Sequence, residues 1–253
     1  MSQLEFISAT GRKIPVEIRR RKATRHMRVR LGVRNQIVVS LPWHCSGQAC
    51  QKFIEHHREW LEAQIAAAPE VISVRDWLLR SPRLSVAGRS LPIFIEASTD
   101  TQAAYRIDLK AGQVLLQLPA GEDDSAWYSL MRDFAQETLA VRVGVLASER
   151  RFPSPGCYGT QVPDIAYSRV SVRDQSSRWG SCSSRKAINL NWRLVLIEPQ
   201  LQDYVIWHEL AHIAEMNHSK RFWSLLEIYD PKRKVHEKAL NAVTPAVMRV
   251  QKG

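Results

Sequence analysis

The stretch from Tyr204 to Trp223, YVIWHELAHIAEMNHSKRFW, constrains this chain most, because it joins a helical repeat to a fixed set of metal-binding side chains. His208 and His212 are four residues apart, so on an α-helix they lie one above the other and offer two imidazole nitrogens to one ion. Glu209, one step round, reaches a water on that ion and completes the HExxH pattern. A regular helix places a third ligand poorly, so the chain has to reverse. Asn217 tolerates the left-handed conformation at a helix end, and a reversal there carries His218 back over the open side of the ion. Three protein ligands leave one position for water, which is the catalytic rather than the structural form of a zinc site. Glu215 is an alternative ligand, or a group that orients a ligating histidine, and Glu227 and Glu237 are more remote candidates. The expected cofactor is one zinc ion per chain.

A chain of 253 residues with 45% hydrophobic content can bury an ample core, as one large domain or two of ordinary size. No apolar run is long enough to span a membrane, and the opening MSQLEFISATGRKIPVEIRRRK lacks the apolar stretch of a signal peptide. A cytoplasmic protein with no membrane partner is expected. Cys45, Cys50, Cys157 and Cys182 form no CxxC pair, which favours reduced thiols over disulfides or a cysteine-bound zinc.

The net charge of +11 is concentrated between residues 12 and 34, which hold ten Arg or Lys and one Glu. Within this stretch Met27, Val29, Leu31 and Val33 alternate with Arg28, Arg30 and Arg34, the pattern of a strand with one apolar and one basic face. Arg19, Arg20, Arg21, Arg28 and Arg30 are candidates for an anion-binding surface, with a solvated strand face as the alternative. Nucleic acid is a candidate partner for this segment. Aromatic residues are not interleaved, which argues against stacking on single-stranded bases.

GRKIPVEI at residues 11 to 18 resembles GRSLPIFI at 88 to 95, and IVVSLP at 37 to 42 resembles VLLQLP at 114 to 119, each pair separated by 77 residues. The chain therefore reads as two β-β-β-β-α repeats, at about 5–66 and 82–150, with turns near Gly11, Asn35, Gly88 and Gly112. Ser46 and Asp123 are the expected helix caps. Phe53, Ile54, Trp60, Leu61 and Ile65 mark the buried face of the first helix, and Trp127, Leu130, Met131, Phe134, Thr138 and Val141 that of the second. After Pro153, Ala166 to Arg173 and Ala187 to Leu196 read as extended runs flanking the loop SSRWGSCSSRK. Pro199 suits the first turn of the HExxH helix, Ser219 can cap the next helix, and Asp230 with Pro231 can open another. The expected class is α+β, with a β-rich region over 1–120 and a zinc-dependent catalytic region over 121–253.

RWGSC at Arg178 to Cys182, LNWRL at Leu190 to Leu194, the HExxH segment, the basic opening IRRRKATRHMRVRL and the strand IVVSLP together resemble the YgjP-like metallopeptidase domain family, related to the SprT-like and WLM zinc peptidases. The resemblance covers most of the chain. It implies a zincin-like catalytic domain in which His208, His212 and His218 bind zinc and Glu209 is the acid/base. Glu215 stands where metzincins have a glycine, so the turn into His218 follows its own path.

These residues point to metal-assisted hydrolysis, with Glu209 moving the proton. Arg178, Arg193, Tyr204 and Lys220 are candidate oxyanion donors. Tyr204 also reads as a core aromatic, Arg193 and Lys220 as surface cations, and Trp179 and Trp192 as core packing. A metallopeptidase acting on polypeptide is the first expectation. A nucleoside triphosphate pyrophosphohydrolase, its phosphates held by arginines, is the alternative, and a nucleic-acid-associated protease-like module the second alternative.

Overall fold

The protein is described from a computed structural model covering residues 4–119, 121, 123–149 and 166–252. Pro153 and Cys157 lie outside the described residues. The fold is mixed α+β and divides into two compact units, Met1–Val71 and Ile72–Gly253. None of its described helices is long and apolar enough to cross a membrane.

In the first unit, β1 (Glu5–Ile7), β2 (Lys13–Arg21), β3 (Arg28–Leu31) and β4 (Ile37–Pro42) form one sheet in the order β1-β2-β4-β3. Positive φ at Gly11 and Asn35 turns the two antiparallel hairpins, and β2 lies parallel to β4. The alternation puts Ile14, Val16, Ile37, Val39 and Leu41 on one face, where they pack with Ile54 and Leu61 of the helices that follow. Those helices are α1 (Gly47–His56), capped by Ser46, and α2 (Arg58–Ala67). The single helix expected here is broken at His57, whose backbone N–H turns to Ile54 O and whose ring bonds Phe53 O at 2.9 Å. The break rotates the second segment and leaves Trp60 43% exposed instead of on the buried face.

The second unit begins with β5 (Ile72–Ser73) and α3 (Val74–Arg80). A second sheet then follows from β6 (Arg83–Val86), β7 (Arg89–Ser98), β8 (Ala104–Asp108) and β9 (Gln113–Pro119), in the order β6-β7-β9-β8. Its parallel pair repeats the register of the first unit, with Val16 opposite Ile37 there and Ile93 opposite Val114 here, each 77 residues later. Helix α4 (Asp124–Glu149) starts at Asp123, whose carboxylate accepts from the N–H groups of Ser125 and Ala126. Its buried face holds Trp127, Leu130, Met131, Phe134 and Thr138, as the spacing predicts, but Val141 is 61% exposed and the stripe continues through Leu139 and Val143. The boundary of character expected at 120/121 falls inside this unit, because α4 packs on the strand–helix segments before and after it.

Three strands frame the candidate site: β10 (Arg169–Arg173), β11 (Gly180–Cys182) and β12 (Ala187–Asn191), in the order β10-β12-β11. Two of the expectations for this region need correction. The loop SSRWGSCSSRK contains strand β11, and the run from Ala187 stops at Asn191, after which Trp192–Leu196 is a 3-10 turn. Asn191 ends the strand by accepting the Arg193 N–H on its side chain. Helix α5 (Pro199–Ala211), with proline in its first turn, then leads to α6 (Lys220–Tyr229), α7 (Arg233–Val247) and β13 (Val250–Gln251), which pairs with β5.

Candidate metal centre

Helix α5 carries the HExxH segment and is fixed before it reaches the site. Arg142 of α4 forks onto Asp203 with contacts of 2.8 and 2.6 Å, and Gln202 donates to the Leu194 carbonyl at 3.1 Å. These bonds set the rotation of the helix, so His208 and His212 emerge on one side. The helix ends at Ala211, and the 3-10 bonds Ile213 N to Leu210 O and Ala214 N to Ala211 O begin the reversal. Asn217 is not among the residues with positive φ, so the left-handed turn expected there is replaced by these tighter bonds and by Ser219 N to Asn217 O at 2.7 Å.

The reversal brings His218 back as expected. One nitrogen from each of His208, His212 and His218 lies within 4.8 Å of the others, and the Nε2 atoms of His208 and His218 are 3.0 Å apart. Two nitrogens on one tetrahedral zinc lie roughly 3.3 Å apart, given bonds of about 2.0 Å, so these three rings can hold one such ion. His212 Nδ1 meets the Glu215 backbone carbonyl at 3.0 Å, which leaves Nε2 free to bind metal. Glu215 thus acts through its main chain. Glu227 faces Arg233 at 3.7 Å, and Glu237 lines a cavity that His208 also lines.

Two aromatic residues not singled out for a role from the sequence pack against these histidines. Phe222, fully buried on α6, stacks on His212 with ring centres 4.5 Å apart, and Trp223 stacks on His218 at 5.5 Å. Their signal was the spacing from His218, four and five residues on. Burial, and the neighbouring imidazoles, push the His208 pKa down to about 3, so that ring stays neutral and ready to ligate.

Glu209 is buried, and among the described residues its Oε2 has no hydrogen-bond partner. Desolvation pushes its carboxyl up to about 8, opposed by the charge of Arg178. Gly180 of β11 lies so close that a Cβ there would stand 2.5 Å from Glu209 Oε1. A cavity of about 240 Å³ opens beside this carboxylate, walled by Arg178, Trp179 and Gly180, by Tyr204 and His208 of α5, and by Glu237 of α7. An orphaned buried oxygen in the cavity that His208 of the converging triad also lines fits a metal with an associated water. The YgjP-like metallopeptidase domain matches residues 25–243. The chain belongs to the YgjP-like metallopeptidase family. Membership in the YgjP-like family implies a metal ion, and the histidine triad can bind one. No curated protein and no solved structure matches the chain.

The remaining expected site residues of this YgjP-like chain are dispersed. Arg178 and Tyr204 line the cavity. Arg193 does not: it is 3% exposed and bonds Asp174 at 2.5 Å and the Val250 carbonyl at 2.7 Å, so it holds the sheet to the C-terminal strand. Lys220 is exposed at the start of α6 and does not line the cavity. Trp192 is fully buried, whereas Trp179 is part-buried and bonds Thr244 at 2.9 Å. In the first unit Arg19 pairs with Glu17 at 2.6 Å, and Arg20 is turned to the carbonyls of Trp43 and Cys45. Arg21, Arg28 and Arg30 stay exposed. The described cysteines, Cys45, Cys50 and Cys182, are free thiols.

Proposed function

We propose that this protein is a zinc-dependent metallopeptidase in which His208, His212 and His218 hold the ion and Glu209 is the general base. The observation that carries the reading is the orphaned Glu209 Oε2, which shares a cavity with His208, one of three imidazoles that converge. When bound, zinc supplies Lewis acidity, polarising a carbonyl and making a water acidic near neutral pH. Glu209 takes the proton from that water on Oε2 and returns it to the leaving amide nitrogen. Burial raises its proton affinity, which favours keeping the proton on Glu209 between the two steps. Tyr204 has a phenol pushed up to about 12 by burial, so it stays protonated and can donate to a developing oxyanion. Arg178 offers a second donor, positively charged, at the cavity wall.

The test sets purified zinc-loaded protein against unstructured polypeptides and a panel of nucleoside triphosphates, beside a Glu209→Gln variant. Polypeptide fragments that disappear in the variant, with nucleotides intact, are expected. Released pyrophosphate with intact polypeptide overturns the peptidase reading in favour of phosphoanhydride hydrolysis.

We also read the two four-stranded sheets as copies of one unit. Their common strand order, and the 77-residue repeat of the parallel register, support this.

A further inference from the structure

The outer face of the first-unit sheet follows from its register. Arg19, Ser40 and Arg28 stand in one row across β2, β4 and β3, and Arg30 lies two residues along from Arg28, all on the side opposite the apolar core. At the end of this face the β2–β3 connection closes round a concavity of about 410 Å³, lined by Arg21, Thr24, Arg25, His26, Arg28 and Ser40. Three guanidiniums and two hydroxyls face it, and no carboxylate lines it. The nearest acid on the face, Glu17, is already engaged by Arg19 and Gln36. Among the described residues Arg21, Arg25 and Arg28 have no side-chain hydrogen bond or ion pair, unlike Arg20 and Arg58 of the same unit. Unpaired cations crowded on one face repel each other, a cost that an anionic partner removes.

We infer that this concavity binds nucleic acid by its phosphate backbone, independently of sequence. Guanidinium forks match phosphate oxygens two at a time, and Thr24 and Ser40 can donate to the same groups. Several adjoining cations call for several linked phosphates rather than one. No Phe, Tyr or Trp lines the concavity, so beyond the small His26 ring bases find no stacking platform, and the contact is to the backbone of a duplex. This inference does not depend on the peptidase reading.

The test is binding of the full-length protein to a short labelled DNA duplex of arbitrary sequence, followed as salt is raised. Three neutralised phosphates give a log–log slope near −2.7, so affinity should fall by roughly fortyfold between about 50 and 200 mM salt. In the Arg21→Gln, Arg25→Gln, Arg28→Gln triple variant the slope should shrink by about that amount and low-salt affinity fall at least tenfold, with the circular dichroism spectrum unchanged. Lys52→Gln, on α1 and outside the concavity, should bind like the parent. Absence of binding at low salt, a triple variant with the parent's slope, or equal binding of polyglutamate overturns the inference. Polypeptide cleavage by the triple variant should match the parent, so failure here and failure of the peptidase reading are separable.

Discussion

The identity of Gly180 is set by its neighbour Glu209. A methyl group at this position would meet Glu209 Oε1, Cγ and Cδ at 2.5 to 2.8 Å, and the carboxylate would have to swing away. Gly180→Ala should therefore keep the metal, since none of the three histidines is touched, yet lose about a hundredfold in turnover, the effect of moving a reacting group by about 1 Å. Metal analysis beside kcat checks this, and a variant that loses metal and activity together would show a general disruption instead. Glu209 itself is held at a cost. Its pKa rises from 4.5 to about 8 on folding, so it favours the folded state below pH 4.5 and that contribution is lost as pH rises through 8. In metal-free protein, Glu209→Gln should raise the melting temperature at pH 8 and much less at pH 5, as thermal melts in chelator would read. The histidine ladder and His218 were legible in the sequence, because helical spacing fixes which side chains share a face. Gly180 was legible only as part of a quoted motif, since a glycine's neighbour is set by tertiary packing. Arg193 was misread as a site candidate because burial of a cation against Asp174 and a distant carbonyl leaves no local pattern.

At the level of elements, α6 is the support on which the site leans. Phe222 fills the space behind His212, and its removal opens a cavity in the core and frees the ring it stacks on. Phe222→Ala should cost about 3–5 kcal/mol of stability by chemical denaturation. Zinc affinity should also weaken by about 10–100-fold, a loss that a purely structural cavity far from the ligands would not give. Ser46, Asp123 and Ser219 all accept backbone N–H groups where expected, and Asn35 and Gly88 adopt positive φ, whereas Asn217 does not and α7 starts at Arg233 after Lys232 rather than at Asp230 and Pro231. Helix faces were read less well. Trp60 and Val141 sit at positions that helical periodicity assigns to the core, but the break at His57 turns Trp60 outward, and the buried stripe of α4 runs through Leu139 and Val143 instead of Val141. The stretch Ala187–Leu196 has no alternation to separate a buried strand from a tight turn, and only the Asn191 side chain decides between them.

The whole molecule follows the expected α+β class, but its division by packing lies at 71/72, so the second four-stranded sheet shares a core with the metal centre. Hairpin patterns gave the sheets and not this grouping, because which core a sheet joins depends on contacts between segments far apart in sequence. The two candidate sites are divided as well: the arginine-lined concavity belongs to the smaller unit and the histidine triad to the larger. Within the larger unit, Arg193 reaches 57 residues forward to the Val250 carbonyl, Asn191 touches Met248, and β13 closes beside β5. A ribosome delivers those last partners only after the histidines have emerged. The clasp between this sheet and the C-terminal strand therefore forms late, and a nascent chain halted before Val250 would carry all three histidines but lack the brace behind them.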